Sequence, residues 1–198
     1  MRNAAEQLRP AATLAERFDG GRVKGVMVRA HVDWVRDHRD RTEVIEFFEA
    51  IPLTMRTVLA ASWYPFADVV ELDRVIMNRF GHGEISFLRE LGAYSARQSL
   101  TGVYRFFRRS DVHEFFRRSA LLHGQFQDFG TADYHEVGGA EGRMVHSHYT
   151  SYSPLYCASA IGFYRECIRL HGGMNVEVWE SECQCRGDAS CAFELMWE

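Results

Sequence analysis

Apolar residues recur at helical spacing over most of the first 120 positions of the chain. This pattern predicts amphipathic helices over about 23–35, 44–51, 53–61, 65–80 and 84–104. A further helix follows Asp111, a residue type that often caps the start of a helix. Residues 1–21 are predicted to form a short helical arm that ends at Gly20 and Gly21. Each predicted helix has one apolar face, so each needs a partner surface.

After Gly124 the spacing changes to the alternation that is typical of strands. Segments near 134–137 and 143–149 are predicted to pair through a glycine-rich turn, and 175–182 pairs with 190–197 as a terminal hairpin. Between the two hairpins a helix opens at Pro154. We therefore expect an α+β fold in which N-terminal helices precede a small antiparallel sheet with one embedded helix.

The 198 residues suit one compact domain, which we assign to 22–198 behind the arm at 1–21. No apolar run approaches the roughly 20 residues that cross a bilayer, and the N-terminus lacks an apolar signal segment. We expect a cytoplasmic protein without a membrane partner. The formal net charge of −4 offers no overall attraction to phosphate backbones, so we expect no nucleic-acid partner. A local basic patch is the exception, and its arginines are Arg105, Arg108, Arg109, Arg117 and Arg118.

All five cysteines lie in the last quarter of the chain, at Cys157, Cys167, Cys183, Cys185 and Cys191. Intracellular cysteines that cluster in this way more often bind metal or do redox chemistry than form disulfides. A turn at 187–188 brings Cys183 opposite Cys191, and Cys157 supplies a further thiol from the preceding helix. Zinc prefers four such ligands in a tetrahedron. The alternative is a set of buried, reduced thiols that pack as small apolar groups.

Cys157, Glu180, Cys183 and Cys191 resemble the metal ligands of the four-vinyl reductase domain, as it occurs in the aromatic-sensing input domains of NtrC-type activators. The resemblance spans about 154–197. It implies a structural zinc held by these four residues, with Cys185 as an alternative to Glu180 or as a redox partner of Cys183. It also implies a fold in which helices and a small sheet enclose a ligand cavity.

The N-terminal part of the chain is similar to a group of uncharacterised myxobacterial paralogues. The matching segments are Lys24-Gly25-Val26, Trp63-Tyr64-Pro65-Phe66, Leu91-Gly92 and Phe129-Gly130. The layout also resembles that of heme nitric-oxide-binding domains. Tyr149-x-Ser151-x-Ser153 is similar to the Tyr-x-Ser-x-Arg signature of that family, but Ser153 stands where the arginine that holds a heme propionate is required. We therefore do not expect heme as the cofactor.

A small-molecule site is usually an apolar cavity with a few orienting polar groups. Aromatic residues of the middle and last thirds supply candidate walls, and two histidines are candidates to bond a ligand hydroxyl. The predicted ligand-binding residues are Tyr104, Phe107, His123, Phe126, His148, Phe163 and Trp179. For each aromatic residue the alternative is an ordinary place in the core.

We expect a sensory or adaptor domain that binds a hydrophobic or aromatic molecule and signals through a regulatory partner protein or a homodimer. One alternative is a protein-interaction module whose cavity holds side chains or a permanent lipid, as resemblance to Bet-type vesicle-tethering subunits allows. The others are a heme-based gas sensor and an enzyme that acts on a tetrapyrrole vinyl group. The chain contains no glycine-rich phosphate loop, Gly-x-Ser-x-Gly elbow or His-Glu-x-x-His helix, so no sequence motif supports an enzyme.

Overall fold

The computed structural model describes residues 14–101 and 111–198, which form six α-helices and six strands. The helices are α1 (Gly25–His38), α2 (Arg41–Ala50), α3 (Phe66–Phe80), α4 (Leu88–Thr101), α5 (Val112–Leu121) and α6 (Pro154–Leu170). The strands are β1 (Arg22–Lys24), β2 (Trp63–Pro65), β3 (Thr131–Gly138), β4 (Glu141–Ser147), β5 (Glu177–Glu182) and β6 (Cys191–Met196). This is the expected α+β order. Within the described ranges, no helix is long and apolar enough to cross a membrane.

Three helices begin at the side-chain caps that their sequences provide. Asp40 accepts from the backbone N–H groups of the first turn of α2, and Asp111 does the same for α5. Ser153 caps α6 ahead of Pro154. Such caps satisfy backbone donors that have no partner inside the helix.

Two predicted helices differ from the structure. Only Leu53–Met55 of the predicted helix 53–61 is helical, as a single 3₁₀ turn, because the chain then extends into β2. In the described part of the predicted arm, residues 14–21 are not helical. Their backbone pairs with the body of the protein instead, where Arg17 bridges Tyr152 and the amide of Ala15 donates to the carbonyl of Cys185.

The larger sheet has the strand order β3-β4-β6-β5, and every neighbouring pair is antiparallel. The two predicted hairpins, β3-β4 and β5-β6, are therefore joined through β4 and β6. The β1 and β2 strands form a separate two-stranded sheet. Helix α6 packs on β5 and β6, and α5 packs on β3, so helices cover the sheet.

Helices α4 and α6 form the central pair of the fold and approach each other backbone to backbone. A Cβ atom on Gly92 would lie 1.9 Å from the carbonyl oxygen of Ser159, and one on Gly162 would lie 1.9 Å from that of Arg89. Only glycine permits this approach. The pair separates two apolar clusters, one among α1, α2 and α3 and the other between α5, α6 and the larger sheet.

Candidate ligand pocket and cysteine cluster

A pocket of about 160 Å³ lies between the two apolar clusters. Its walls come from α1, α3, α4, α5, α6 and the sheet, and they are mostly apolar, with Val28, Val69, Leu100, Phe115 and Met144 among them. An apolar cavity of roughly 150 Å³ is large enough for benzene. It is below the roughly 300 Å³ at which pockets for drug-sized ligands begin. The pocket therefore accommodates a one-ring molecule without rearrangement of the described residues.

A buried histidine–carboxylate pair contributes to the pocket wall. His31 on α1 lines the pocket, and its Nδ1–H donates to Oδ1 of Asp73 on α3 at 2.6 Å. The two side chains are only 6% and 1% exposed. Because a carboxylate oxygen only accepts, the hydrogen bond between the two side chains places a proton on Nδ1 of His31.

Two further polar side chains line the pocket without a partner. Ser95 Oγ on α4 and Gln127 Oε1 in the loop after α5 are buried and make no hydrogen bond to any described residue. The second carboxylate oxygen of Asp73 is unpaired as well. An unpaired buried polar atom costs about 1–3 kcal/mol. These oxygen atoms have almost no accessible surface, so a molecule in the pocket would reach them only after neighbouring side chains move.

Two more histidines line the pocket, and burial disfavours the charged form of both. The His123 Nε2–H donates to the carbonyl oxygen of Phe129 at 3.1 Å, and burial lowers the pKa of this imidazole. His146 on β4 is hydrogen-bonded to the Tyr164 hydroxyl at 2.7 Å. Burial, aided by the neighbouring His123, lowers the pKa of His146 to about 3. Both imidazoles are neutral at pH 7, so the pocket offers neutral nitrogen atoms to a ligand.

The structure brings together three of the predicted ligand-binding residues and separates two. His123, Phe126 and Phe163 line the pocket. His148 lies beyond the end of β4, where its backbone turns to a φ of 58° and its side chain is exposed. Trp179 lies on β5, is 42% exposed and does not line the pocket. Tyr104 and Phe107 fall outside the described residues.

The polar residues His31, Ser95 and Gln127 were not predicted as pocket residues. A signal for the first was present in the sequence. His31 shares one helical stripe with Val28 and Val35, and Asp73 interrupts the apolar stripe of α3 in the same way. Polar residues inside apolar stripes are buried, and buried polar residues need partners. The sequence alone does not show that these two stripes meet.

The second candidate site is the cysteine cluster formed by Cys157, Glu180, Cys183 and Cys191. One possible ligand atom from each of the four residues lies within 4.8 Å of the others. Cys157 comes from the first turn of α6 and Glu180 from β5, while Cys183 and Cys191 flank the turn between β5 and β6. All five cysteines of the chain are free and buried. Cys167 lies elsewhere on α6 and is outside this group.

A tight turn holds the cluster in place. Gly187 adopts a φ of 95°, a left-handed conformation that suits glycine, and the Asp188 carboxylate then accepts from the backbone N–H of Cys183 at 2.7 Å. The sulfur of Cys191 accepts from the N–H of Gln184 at 3.3 Å. These bonds fix the loop from both ends, as the predicted reversal at 187–188 requires.

One thiol of the cluster has a lowered pKa, while the pKa values of the neighbouring thiols of Cys157, Cys185 and Cys191 are raised. Hydrogen bonds from the thiols of Cys157, Cys185 and Cys191 lower the pKa of Cys183 far below its ordinary value. Burial raises the pKa of Glu180 to about 7, and its Oε1 is buried without a hydrogen-bond partner among the described residues. A thiolate beside an unpaired carboxyl oxygen is the donor chemistry of a metal site.

The described arginines of the basic patch make ion pairs on the surface. Arg117 pairs with Glu136 and Arg118 with Glu114. The carboxylate of Glu136 raises the pKa of Arg117 through a hydrogen bond. Arg105, Arg108 and Arg109 lie outside the described residues.

Comparison with solved structures decides the fold. A structure of an Fe(II) unliganded H-NOX mutant from K. algicida superposes with a TM-score of 0.68 at 12% identity, covering 88% of this chain and 96% of that one. An oxygen-binding H-NOX domain related to soluble guanylate cyclases, in its oxygen complex, gives 0.69 at 14% identity, covering 88% and 95%. The fold is that of the H-NOX domains. Identities this low establish the H-NOX fold alone.

No family model matches the chain. No curated protein matches it either. The H-NOX fold confirms the expected resemblance to heme nitric-oxide-binding domains in architecture. The comparisons give no support to the more specific resemblances, to the four-vinyl reductase domain, the NtrC-type input domains and the myxobacterial paralogues.

One expectation is corrected by these structures. A matched structure with a TM-score of 0.69, at 14% identity, was determined to probe the function of heme distortion in the H-NOX family. Another, with a TM-score of 0.67 at the same identity, concerns the modulation of heme redox potential. The prediction that named zinc as the cofactor and excluded heme is therefore contradicted. The presence of Ser153 in place of one arginine was not sufficient evidence against heme.

Proposed function

We propose that the protein is a sensory domain that binds its ligand in the central pocket. The observation that carries the proposal is the pocket itself, an apolar cavity between the two apolar clusters whose lining includes His31, His123 and His146. This combination of apolar walls and a few orienting groups is the general design of a small-molecule site.

Heme is the first ligand to test, because structural neighbours of this fold are described as heme proteins. The donor chemistry suits a heme, because burial favours the neutral form of the His123 imidazole among apolar walls. The volume of about 160 Å³ admits only one ring, so a heme would enter only if the pocket walls moved apart. A bound heme would supply an iron that binds diatomic gases. Ser153 takes no part in holding a propionate, because its hydroxyl caps α6 and donates to Glu16 at 2.6 Å. The propionates would need other donors.

A small hydrophobic or aromatic molecule is the second candidate. The pocket volume of about 160 Å³ and its mostly apolar lining favour it. Absorption spectra after heme addition separate the two candidates. A stoichiometric Soret band that is lost in His123→Ala supports heme. Stabilisation by aromatic compounds without such a band supports the second candidate. A protein that responds to neither contradicts the proposal.

The cysteine cluster supports a separate structural role. We propose that Cys157, Glu180, Cys183 and Cys191 bind one metal ion, on the basis of their mutual distances and the unpaired oxygen of Glu180. Four protein ligands leave no open position for a substrate, so the ion would stabilise the fold. Elemental analysis of protein purified without chelators identifies the ion. Protein that contains no metal and takes up none contradicts this role.

The output of the sensor is a further proposal. Pocket occupancy would be communicated to a regulatory partner protein or to a second copy of the chain. Size-exclusion chromatography with light scattering, with and without a bound ligand, tests the second route. A ligand-dependent change in mass supports the homodimer, and an unchanged monomer supports a separate partner.

A further inference from the structure

A second cavity lies on the surface, between α4, the C-terminal half of α6 and the segment 80–87. This surface cleft has a volume of about 500 Å³, and no described residue lines both it and the central pocket. We propose that the surface cleft binds a small organic molecule that carries a phosphate group, with Arg89 and Arg165 as the residues that bind the phosphate. The site is separate from the proposed sensory function, because the two linings are independent.

The packing of α4 on α6 brings four arginines to the cleft. The two helices touch where a Cβ on Gly162 would meet the carbonyl oxygen of Arg89. Arg165 and Arg169 follow Gly162 on α6 by three and seven positions, so they lie on the same face of the helix. Arg97 lies about two turns beyond Arg89 on α4. All four arginines line the cleft.

Two of the four arginines share one carboxylate, and the other two have none. Glu166 forms ion pairs with Arg97 at 3.2 Å and with Arg169 at 3.8 Å. Neither Arg89 nor Arg165 makes a hydrogen bond or an ion pair with a described residue. Burial and the like charges of Arg169 and Arg89 lower the pKa of the Arg165 guanidinium. A bound anion would offset this repulsion.

The pair of unpaired guanidinium groups suits a phosphate. A guanidinium presents its N–H donors in a planar fork that matches phosphate and carboxylate oxygens. A phosphate monoester carries between one and two negative charges at neutral pH and three strong acceptor oxygens, so it can bond to two arginines at once. The Nε atom of Arg165 is buried, so the phosphate would contact the terminal nitrogen atoms of this guanidinium.

The remaining lining indicates an organic molecule. Phe80 and Phe87 are half-buried and line the cleft, where they offer apolar surface beside the arginines. The volume of about 500 Å³ falls within the range of roughly 300–1,000 Å³ that is typical of small-molecule sites. Inorganic phosphate alone would fill little of it. Glu84 and Glu90 also line the cleft, and their carboxylates oppose the binding of any anion.

Phenyl phosphate, inorganic phosphate and benzoate separate these contributions in calorimetric titration of the full chain at constant ionic strength. Inorganic phosphate lacks the ring, and benzoate lacks the phosphate. We expect the wild type to bind phenyl phosphate at least about tenfold more tightly than either of the other two probes.

Substitutions in the cleft test the two arginines. Arg89→Gln and Arg165→Gln should each weaken phenyl phosphate binding at least about tenfold. Arg89 is exposed, so its variant is informative even if Arg165→Gln folds poorly. Glu90→Gln removes an opposing charge and should strengthen binding severalfold. Arg29→Gln is the matched control, because it changes the net charge equally at an exposed position outside the cleft, and it should bind as the wild type does.

Three results overturn the proposal. They are the absence of saturable binding of phenyl phosphate, equally tight binding of inorganic phosphate or benzoate, and wild-type affinity in both cleft arginine variants. Ala160→Phe fills the central pocket and should leave phenyl phosphate binding unchanged. Loss of binding in Ala160→Phe would place phenyl phosphate in the central pocket, which overturns the surface site and supports the proposed function.

Discussion

Helix α6 contributes residues to both the central pocket and the cysteine cluster, but the chemistry of the two sites suits different ligands. Tyr156 and Ala160 line the pocket, while Cys157 belongs to the cluster. The unpaired atoms in the pocket wall are a hydroxyl and an amide oxygen among apolar side chains. In the cluster the unpaired atom is a carboxylate oxygen of Glu180 beside thiols. The apolar lining of the pocket therefore suits a largely apolar molecule, while the thiols and carboxyl group of the cluster suit a cation.

The largest effect is expected at the cluster. Cys183→Ser and Cys191→Ser should abolish metal binding and lower the free energy of unfolding by several kcal/mol, because metal binding energy is also folding energy. Elemental analysis and chemical denaturation measure the two effects. Cys167→Ala is the matched control, since this cysteine is buried on α6 outside the cluster, and it should keep the metal. Full metal occupancy in both serine variants would show that the cluster does not bind the metal.

Two variants on α6 distinguish ligand binding in the pocket from the helix packing beside it. Ala160→Phe places a ring in the pocket and should weaken ligand binding at least about a hundredfold, or about 2.7 kcal/mol, while stability changes little. Gly162→Ala adds a Cβ that meets the carbonyl oxygen of Arg89, so it should destabilise the fold by about 2 kcal/mol or more. Titration calorimetry should show the larger effect for Ala160→Phe, and denaturation should show the larger effect for Gly162→Ala. Unchanged ligand affinity in Ala160→Phe would place the ligand elsewhere.

The pocket histidine on β4 predicts a pH dependence of stability. His146 has a pKa of about 3 in the folded protein and about 6.5 when unfolded, so below pH 6.5 the unfolded chain binds a proton that the folded protein does not. The His146 contribution to stability should therefore fall by about 1.4 kcal/mol per pH unit, or about 2 kcal/mol between pH 6.5 and 5. Urea denaturation of wild type and His146→Asn at several pH values measures it. A difference between the two proteins that does not change with pH argues that His146 is solvated.

The smallest effect is expected on the surface. Arg117→Ala and Arg118→Ala each remove an exposed ion pair and should leave stability almost unchanged, because solvent screens such pairs. Neither variant should alter ligand binding in the pocket. A short oligonucleotide that binds the wild type and not these variants would reassign the function to the basic patch.

The sequence predicted well what depends on local pattern. The helix cap at Asp111, the helix start at Pro154 and the reversal at Gly187 follow from residues that are close in the chain. The resemblance to the four-vinyl reductase domain named the four residues of the cluster, and the structure places their ligand atoms close together. The segment 53–61 was predicted as a helix because apolar spacing over nine residues does not distinguish a helix from a turn that leads into a short strand.

The pocket was harder to predict because its polar wall is assembled from distant parts of the chain. His31 and Asp73 are 42 positions apart, and their pairing depends on how α1 packs against α3. His148 was predicted to bind the ligand, and alternation along a longer strand would place it on the same face as His146, but β4 ends at Ser147. One residue beyond the end of β4 is enough to turn that side chain out of the pocket.

Titration of wild type and Ala160→Phe with heme and with phenol tests the central claim most directly, since it asks whether this pocket binds a ligand at all. We predict saturable binding of at least one of the two ligands to the wild type, with one site per chain, and loss of that binding in the variant. The absence of saturable binding of either ligand to the wild type, or binding that is unchanged in Ala160→Phe, would contradict the account.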